Sequence, residues 1–430
     1  MTMEKPSYLY DLDDRPPFLY AIVYGLQWAF IAFPIVIITT TMAEAVLNLD
    51  TSASIRFIQM TFLTTGFFTF VQTLWGHRYP VIEGPSAALL LTLILLAPYG
   101  LPAIQGGTII GGALLIFIVF TKQLTRLIRL FTPNVVGVIL MLIAFGLLMP
   151  LLKFLTGMNN VHPNGDPVTM MISFALVLLI ATLSYHLKGF WKSISILIGM
   201  IVGSIAFLLL GHFNWENLAS ASWVSVSVHR VGSPYGLYWP AAIAFACSYF
   251  AVIVNSLGSL QGIAAITDQE RLPEAISKGI FINGISGIIC GLFGVVGTLC
   301  YSLSPGVILA NRVASRYALT YCGVILILAA FFPKLAALLA LIPMPVVGSA
   351  LCVAMGGQIG AAISIIASKT ITPRDYIVVG LPVLMGTLAG LFPGGLFSSM
   401  PSLIQVFMGN SLIVGIVAVL LLEHVLCRDQ

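Results

Sequence analysis

Eleven stretches without a single Asp, Glu, Lys or Arg follow one another along the chain, at 16–43, 57–77, 84–121, 130–152, 167–187, 193–215, 231–267, 279–311, 317–333, 335–368 and 376–422. A helix crosses the hydrocarbon with about 20 apolar residues, because only there can its backbone groups satisfy one another without water. A chain of 430 residues patterned in this way is expected to be an all-α polytopic membrane protein. Several runs are long enough for two crossings and carry Pro and Gly punctuation, as at 98–102, 332–334 and 392–395. The count comes to about fourteen segments, some too short to be ordinary spans. With 59% hydrophobic and 8% charged residues, no polar stretch is large enough for a soluble domain.

Charge placement sets the expected orientation. An N-terminus in the cytoplasm puts fifteen basic residues inside, among them Arg15, Arg78, Arg126, Arg271, Arg312 and Arg374, and only Arg56, Lys153, Arg230 and Lys334 outside. That bias follows the positive-inside rule and requires an even number of crossings, so both termini are expected in the cytoplasm of a plasma (inner) membrane protein. The net charge of +4 is this loop asymmetry, without a clustered basic face, and gives no support to nucleic acid as a partner. Five of the six cysteines (Cys247, Cys290, Cys300, Cys322, Cys352) fall in apolar spans with no CxxC or Cys/His ligand spacing, so neither disulfide, metal nor cofactor is expected. The first 16 residues carry Glu4, Asp11, Asp13 and Asp14 instead of a basic leader, and insertion is expected through the first span itself.

The polar loop 211–237 divides the segments seven and seven. Odd-numbered halves are oppositely oriented, which makes inverted repeats whose interrupted segments meet near the midplane. The expected organisation is a tail at 1–16, a first repeat at 17–210, the connecting loop on the outside and a second repeat at 238–427. The third segment of each half carries the interruption: Tyr79-Pro80-Val81-Ile82-Glu83-Gly84-Pro85-Ser86-Ala87, and Tyr301-Ser302-Leu303-Ser304-Pro305-Gly306-Val307. Each should join an extended, proline-limited piece to an apolar half-helix whose free N–H groups and positive dipole end face a common centre.

The run Ser304-Pro305-Gly306-Val307-Ile308-Leu309-Ala310-Asn311-Arg312-Val313-Ala314-Ser315-Arg316 resembles the signature of the nucleobase-ascorbate transporter (nucleobase cation symporter) family. Gly306 and Arg312 match that signature, while Leu303, Ser304 and Asn311 depart from it. Further likeness lies in Gly25-Leu26-Gln27, Gly84-Pro85-Ser86, Asn255-Ser256-Leu257-Gly258-Ser259, Gly291-Leu292-Phe293-Gly294 and 342–348, in order through most of the chain. The resemblance implies a core domain and a gate domain, frequent homodimers, and a nucleobase held between the third and tenth segments. It implies substrate contacts at Tyr301, Ser302, Leu303, Ser304, Asn255, Ser259, Ser86, Ala87 and Gln27.

The family's usual charged groups are replaced. Asn255 stands for the base-binding Glu of the eighth segment, Ser259 for a His or Asp, Gln27-Trp28 for Gln-His, Ala87 for a Phe, and Asn283 for an acid of the ninth segment. Asn255 can recognise an amide-like edge but cannot take up a proton; it serves either a ligand or helix–helix adhesion. Asn283 reads as structural. Glu83 is the coupling candidate, as an intramembrane acid, unless it is an interfacial carboxylate paired with a base such as Arg78. Tyr301 is either a ligand contact or part of an aromatic belt. Glu44 and Glu423 read as interfacial, and His77, His162, His186, His212, His229 and His424 fall in or beside loops, where none suggests a proton relay. No nucleophile elbow, P-loop or HExxH pattern supports an enzyme. The expected function is secondary transport of uracil, xanthine or a related base, with a proton or sodium ion as possible partner. The rivals are an anionic solute on the same fold, an uncoupled facilitator, and a scaffold that has lost transport.

Overall fold

A computed structural model describes residues 8–427 except 159–161, 211–217, 220, 226–235, 394–395 and 398. Most of the expected connecting loop 211–237 therefore lies outside the described residues. The elements run α1 (Phe18–Leu47), α2 (Thr51–Leu74), β1 (Glu83–Pro85), α3 (Ala87–Leu96), α4 (Leu101–Phe120), α5 (Leu124–Ile128), α6 (Pro133–Gly146), α7 (Leu148–Thr156), α8 (Pro167–His186), α9 (Gly189–Ser193) and α10 (Ser195–Leu209). The second half runs α11 (Trp239–Ile266), α12 (Leu272–Phe293), β2 (Thr298–Cys300), α13 (Ser304–Asn311), α14 (Arg316–Ala330), α15 (Pro333–Ala340), α16 (Met344–Ile366), α17 (Pro373–Leu391), α18 (Ser402–Met408) and α19 (Ser411–Leu421).

Among the described residues, eight helices are long and apolar enough to cross a membrane, α6 and α7 counting as one, and the bent pairs α14–α15 (88°) and α18–α19 (75°) make ten. The threonine-rich α2, the short α10 and the two half-helices α3 and α13 complete fourteen segments. Length and hydropathy alone miss α2 because Thr61, Thr64, Thr65, Thr69, Gln72 and Thr73 are buried polar residues within it. Thr61, Thr64 and Thr73 donate to carbonyls one turn back, as Thr61 does to Phe57 O at 2.7 Å, which lowers the cost of those hydroxyls inside the bilayer.

The two halves pack as inverted copies. At one junction between the halves, α2 crosses α14 where Gly66 meets Gly323; a Cβ on Gly66 would stand 2.6 Å from Gly323 O. At the other, α4 crosses α12 where Gly112 meets Gly284, and a Cβ on Gly112 would stand 2.6 Å from Gly284 O. The partners exchange as second with ninth and fourth with eleventh segment, the correspondence an inverted seven-plus-seven repeat requires. Without a hydrophobic drive between helices in lipid, such close backbone contact is a main source of adhesion. With α1, α3, α11 and α13 the four crossing helices make a first bundle; α6, α7, α8, α10, α16, α17 and α19 form a second, in which α16 lies on α6, α7 and α8 while α17 and α19 pack on α6.

Each bundle is tied off on the face that carries the described ends of the chain. Residues 8–15 lie along 312–316, with Leu9 N donating to Arg312 O (2.8 Å), Ala314 N to Tyr10 O (2.9 Å) and Arg316 N to Leu12 O (3.1 Å). In the second bundle Asn134 Nδ2 reaches both Asp375 Oδ1 (2.7 Å) and Glu423 Oε2 (3.1 Å), flanked by Lys369 and Arg374. Glu423, read from sequence as interfacial, is only 6% exposed, because Arg374 neutralises it there.

Candidate functional site

The two breaks find each other. β1 and β2 pair antiparallel in the register Glu83↔Cys300, Gly84↔Leu299 and Pro85↔Thr298, extended by Tyr301 N to Ile82 O (3.0 Å) and Ser86 N to Gly297 O (2.9 Å). A two-stranded ribbon is marginal on its own; here α1, α2, α11 and α12 surround it and satisfy the edges that lipid would not.

Local sequence explains the path. Pro80 and Pro85 bias the residues before them away from helix. Gly84 lets the Tyr301 ring lie on the backbone, where a Cβ would come within 2.4 Å of its hydroxyl oxygen. The extended piece of the second break is Thr298–Cys300, upstream of the expected 301–307; Ser304, Pro305 and Gly306 are already helical. Pro305 sits in the first turn of α13, where its missing N–H leaves no bond unmade. Gly294, at φ 77°, ends α12 and releases the chain into the strand.

The expected contact residues separate into braces and open groups. Ser86 caps α3, its Oγ accepting from Leu89 N at 3.3 Å. Ser304 Oγ accepts from Ile82 N (3.4 Å), Ser259 donates to Asn255 O (2.8 Å) or Cys300 O (2.9 Å), and Tyr301 Oη donates to Pro85 O (3.0 Å). These four hold the ribbon and its half-helices together. Ser302 and Leu303 are exposed, Ala87, Asn255 and Gln27 are half-buried, and Gln27 Nε2 is buried without a hydrogen-bond partner. Trp28, whose placement the sequence leaves open, is buried at 3% exposure. Gly258 on α11 and Gly306 on α13 face open space, with no atom within 4 Å of a built Cβ.

Behind the ribbon lies Glu83, fully buried and away from any Arg78 pairing. Its Oε2 accepts from Asn283 Nδ2 (2.9 Å), its Oε1 from Cys300 Sγ (2.9 Å), and its own N–H is taken by Thr69 Oγ1 (3.1 Å). Asn283 is thus a partner of the acid as well as a packing residue. His77 is also fully buried, with Nε2 3.9 Å from Glu83 Oε1 and no hydrogen-bond partner there. Leaving such a donor unpaired costs about 1–3 kcal/mol. Loop position hid it: a turn folded back into the bundle buries a histidine as completely as a helix does, and the nearby Glu83 was the available signal.

His77, Glu83 and Cys300 bring donor atoms within 4.8 Å of one another. The spacing is that of hydrogen bonding: the 2.9 Å between Cys300 Sγ and Glu83 Oε1 falls short of the roughly 3.5 Å that a tetrahedral ion keeps between thiolate and carboxylate. Asn283 already holds the second oxygen.

The model of a permease family, Xan_ur_permease, matches residues 19–394. The chain belongs to that family. This permease is 27% identical to the uric acid permease PucK of Bacillus subtilis (strain 168) over 92% of its own length and 93% of that protein's. It is 23% identical to the xanthine permease of the same organism, over 91% and 90%. Among solved structures, the transmembrane domain of a cyanobacterium bicarbonate transporter, BicA, superposes with a TM-score of 0.61 at 15% identity, covering 95% of this chain and 98% of that one. That likeness gives the fold, seven plus seven segments with interrupted helices.

Proposed function

We propose that this permease carries an oxidised nucleobase, with the purines of its named relatives as first candidates, by alternating access coupled to a proton held at Glu83. The observation that carries the reading is the convergence of the two half-helix N-termini on the paired break, beside the Asn255 amide and in front of a buried carboxyl. Free N–H groups, a positive dipole end and an amide suit a ligand rich in carbonyl oxygens and unprotonated ring nitrogens. Urate, an anion at neutral pH, combines such acceptors with the charge that helix N-termini favour.

Alternating access is supported by unequal burial around the break. No residue of α3 is exposed, whereas Gly306, Leu309 and Ala310 of α13 are; along α11 nothing from 240 to 260 is exposed, but Gln261 and Ala265 are. The exposed residues lie toward the face that carries the described ends of the chain, which the charge bias makes cytoplasmic, so this arrangement reads as inward-facing. The first bundle, with both breaks, would be the moving core, the second the gate, and the repeats would divide at 210 and 238.

The test is uptake of radiolabelled uric acid, xanthine and uracil into proteoliposomes, with and without an inward proton gradient. Stimulation by the gradient that is lost in Glu83→Gln, with a raised KM in Asn255→Leu, is the expected result. Uptake indifferent to the gradient would make the protein a facilitator, and no uptake of any base would remove the nucleobase reading.

A further inference from the structure

The transport reading uses Glu83 and leaves His77 without a role. The His77 Nδ1 accepts the Tyr79 N–H at 3.0 Å, which places the hydrogen of the neutral ring on Nε2. That N–H is buried, has no acceptor within hydrogen-bonding range, and stands 3.9 Å from Glu83 Oε1. The residue is held between helices: its backbone N–H reaches Gln72 Oε1 (3.3 Å), and Gln72 Nε2 reaches Gly279 O (2.9 Å) on α12. On its other side the Tyr79 hydroxyl donates to Asp268 O (2.5 Å), in the loop between α11 and α12.

The groups that face the carboxyl come from α2 and the turn after it, from β2 and the turn beyond it, and from α12. The titratable ones are His77 from the turn after α2, Cys300 and Tyr301 from β2 and the turn beyond it, and Cys290 from α12. Cys300 already donates to Glu83, Tyr301 to Pro85 O, and Cys290 meets Ser286 at 3.6 Å. The neutral polar groups are Asn283, Gln72, Thr69 and Thr298, and the Nε2 hydrogen of His77 is the donor among them with no bond to give up. An ionised carboxylate in a water-free interior needs more donors than a protonated one, and a donor near it is drawn in more strongly once the charge appears.

We propose that His77 is a positioning residue for the Glu83 proton: a tautomer-fixed N–H donor held about 1 Å outside hydrogen-bonding range, which closes on the carboxylate when the proton leaves and withdraws when it returns. The inference rests on the reading of Glu83 as the proton site. Closing would draw the turn 75–79 toward β1, so the protonation state of one carboxyl is passed to the ribbon that carries both half-helices.

The test is an infrared pH titration of the purified protein in lipid, following the carboxyl band that Glu83→Gln removes. His77→Asn keeps an acceptor for the Tyr79 N–H but is too short to reach Glu83. Because a donor to the charged form is lost, the midpoint of the band should rise by about one pH unit, a tenfold change in proton affinity. His77→Gln, whose amide extends as far as Nε2, should restore it. An unchanged midpoint in His77→Asn with the band intact overturns the inference and leaves the proton reading standing. Absence of any Glu83-sensitive band across the pH range overturns both.

Discussion

The two halves of this permease agree at their helix crossings and disagree at their breaks. Gly66 on Gly323 and Gly112 on Gly284 repeat one contact with the same 2.6 Å clearance, whereas α3 is sealed along its length and α13 is open at Gly306, Leu309 and Ala310. A symmetric scaffold carrying an asymmetric pair of half-helices is what an alternating mechanism requires, since the second state needs only the roles of α3 and α13 exchanged. On the proposed alternating mechanism, the crossings would stay rigid and the breaks would change exposure.

The largest effects should come from the crossings. Gly66→Ala and Gly112→Ala each drive a methyl into a facing carbonyl oxygen, and overpacking of this kind costs about 1–3 kcal/mol. Both should lower the melting temperature of the purified protein by similar amounts, while Gly258→Ala, with open space at its Cβ, should leave it unchanged or slightly raised. Markedly unequal losses at the two crossings would break the equivalence of the halves.

Exposure can be read directly with thiol labelling. In a background where Cys247, Cys352 and Cys427 are serine, Leu309→Cys should react with an impermeant reagent added on the face of the chain's ends, and Leu91→Cys on α3 should not. Saturating substrate should alter the rate at Leu309→Cys by several-fold if the core moves against the gate. Equal labelling of both positions would mean that the breaks are not in opposite states of access.

Much of this was legible in the sequence. Uncharged runs gave the segments, and Pro80, Pro85 and Pro305 marked the breaks, because proline restricts its own φ and the residue before it locally, although Pro34 and Pro382 stand inside α1 and α17. The strand β2 was displaced by a few residues from its expected place, since Thr298–Cys300 is extended by pairing with β1, which nothing nearby in sequence encodes. For the same reason the hydroxyls of Ser86, Ser304, Ser259 and Tyr301 could be recognised as polar groups at depth but not as braces: their partners are Leu89, Ile82, Cys300 and Pro85, mostly distant along the chain. The partnership of His77 and Asn283 with Glu83 was hidden likewise, 6 and 200 residues apart in sequence and joined only when α2, α12 and the ribbon pack.

The smallest predicted effect concerns the far end of the open half-helix. Directly after α13, residues 312–316 pair with the N-terminal strap, and Asp13 there meets Arg271 (2.6 Å) and Arg316 (2.6 Å). The hydrogen bond from Arg271 leads in holding the Asp13 carboxyl down at about 2, assisted by Arg316 and opposed by partial burial. A carboxyl depressed in the folded state stabilises it above its unfolded value of about 4 and loses that contribution as pH falls from there toward 2. Asp13 is 48% exposed, so solvent screening limits the gain to less than about 1 kcal/mol. Asp13→Asn should therefore lower the melting temperature slightly at pH 7, with the difference shrinking toward pH 3. A difference that persists undiminished in acid would show that the strap holds α13 through backbone pairing, such as Ala314 N to Tyr10 O, and that the charge at Asp13 contributes nothing to keeping the open break in place.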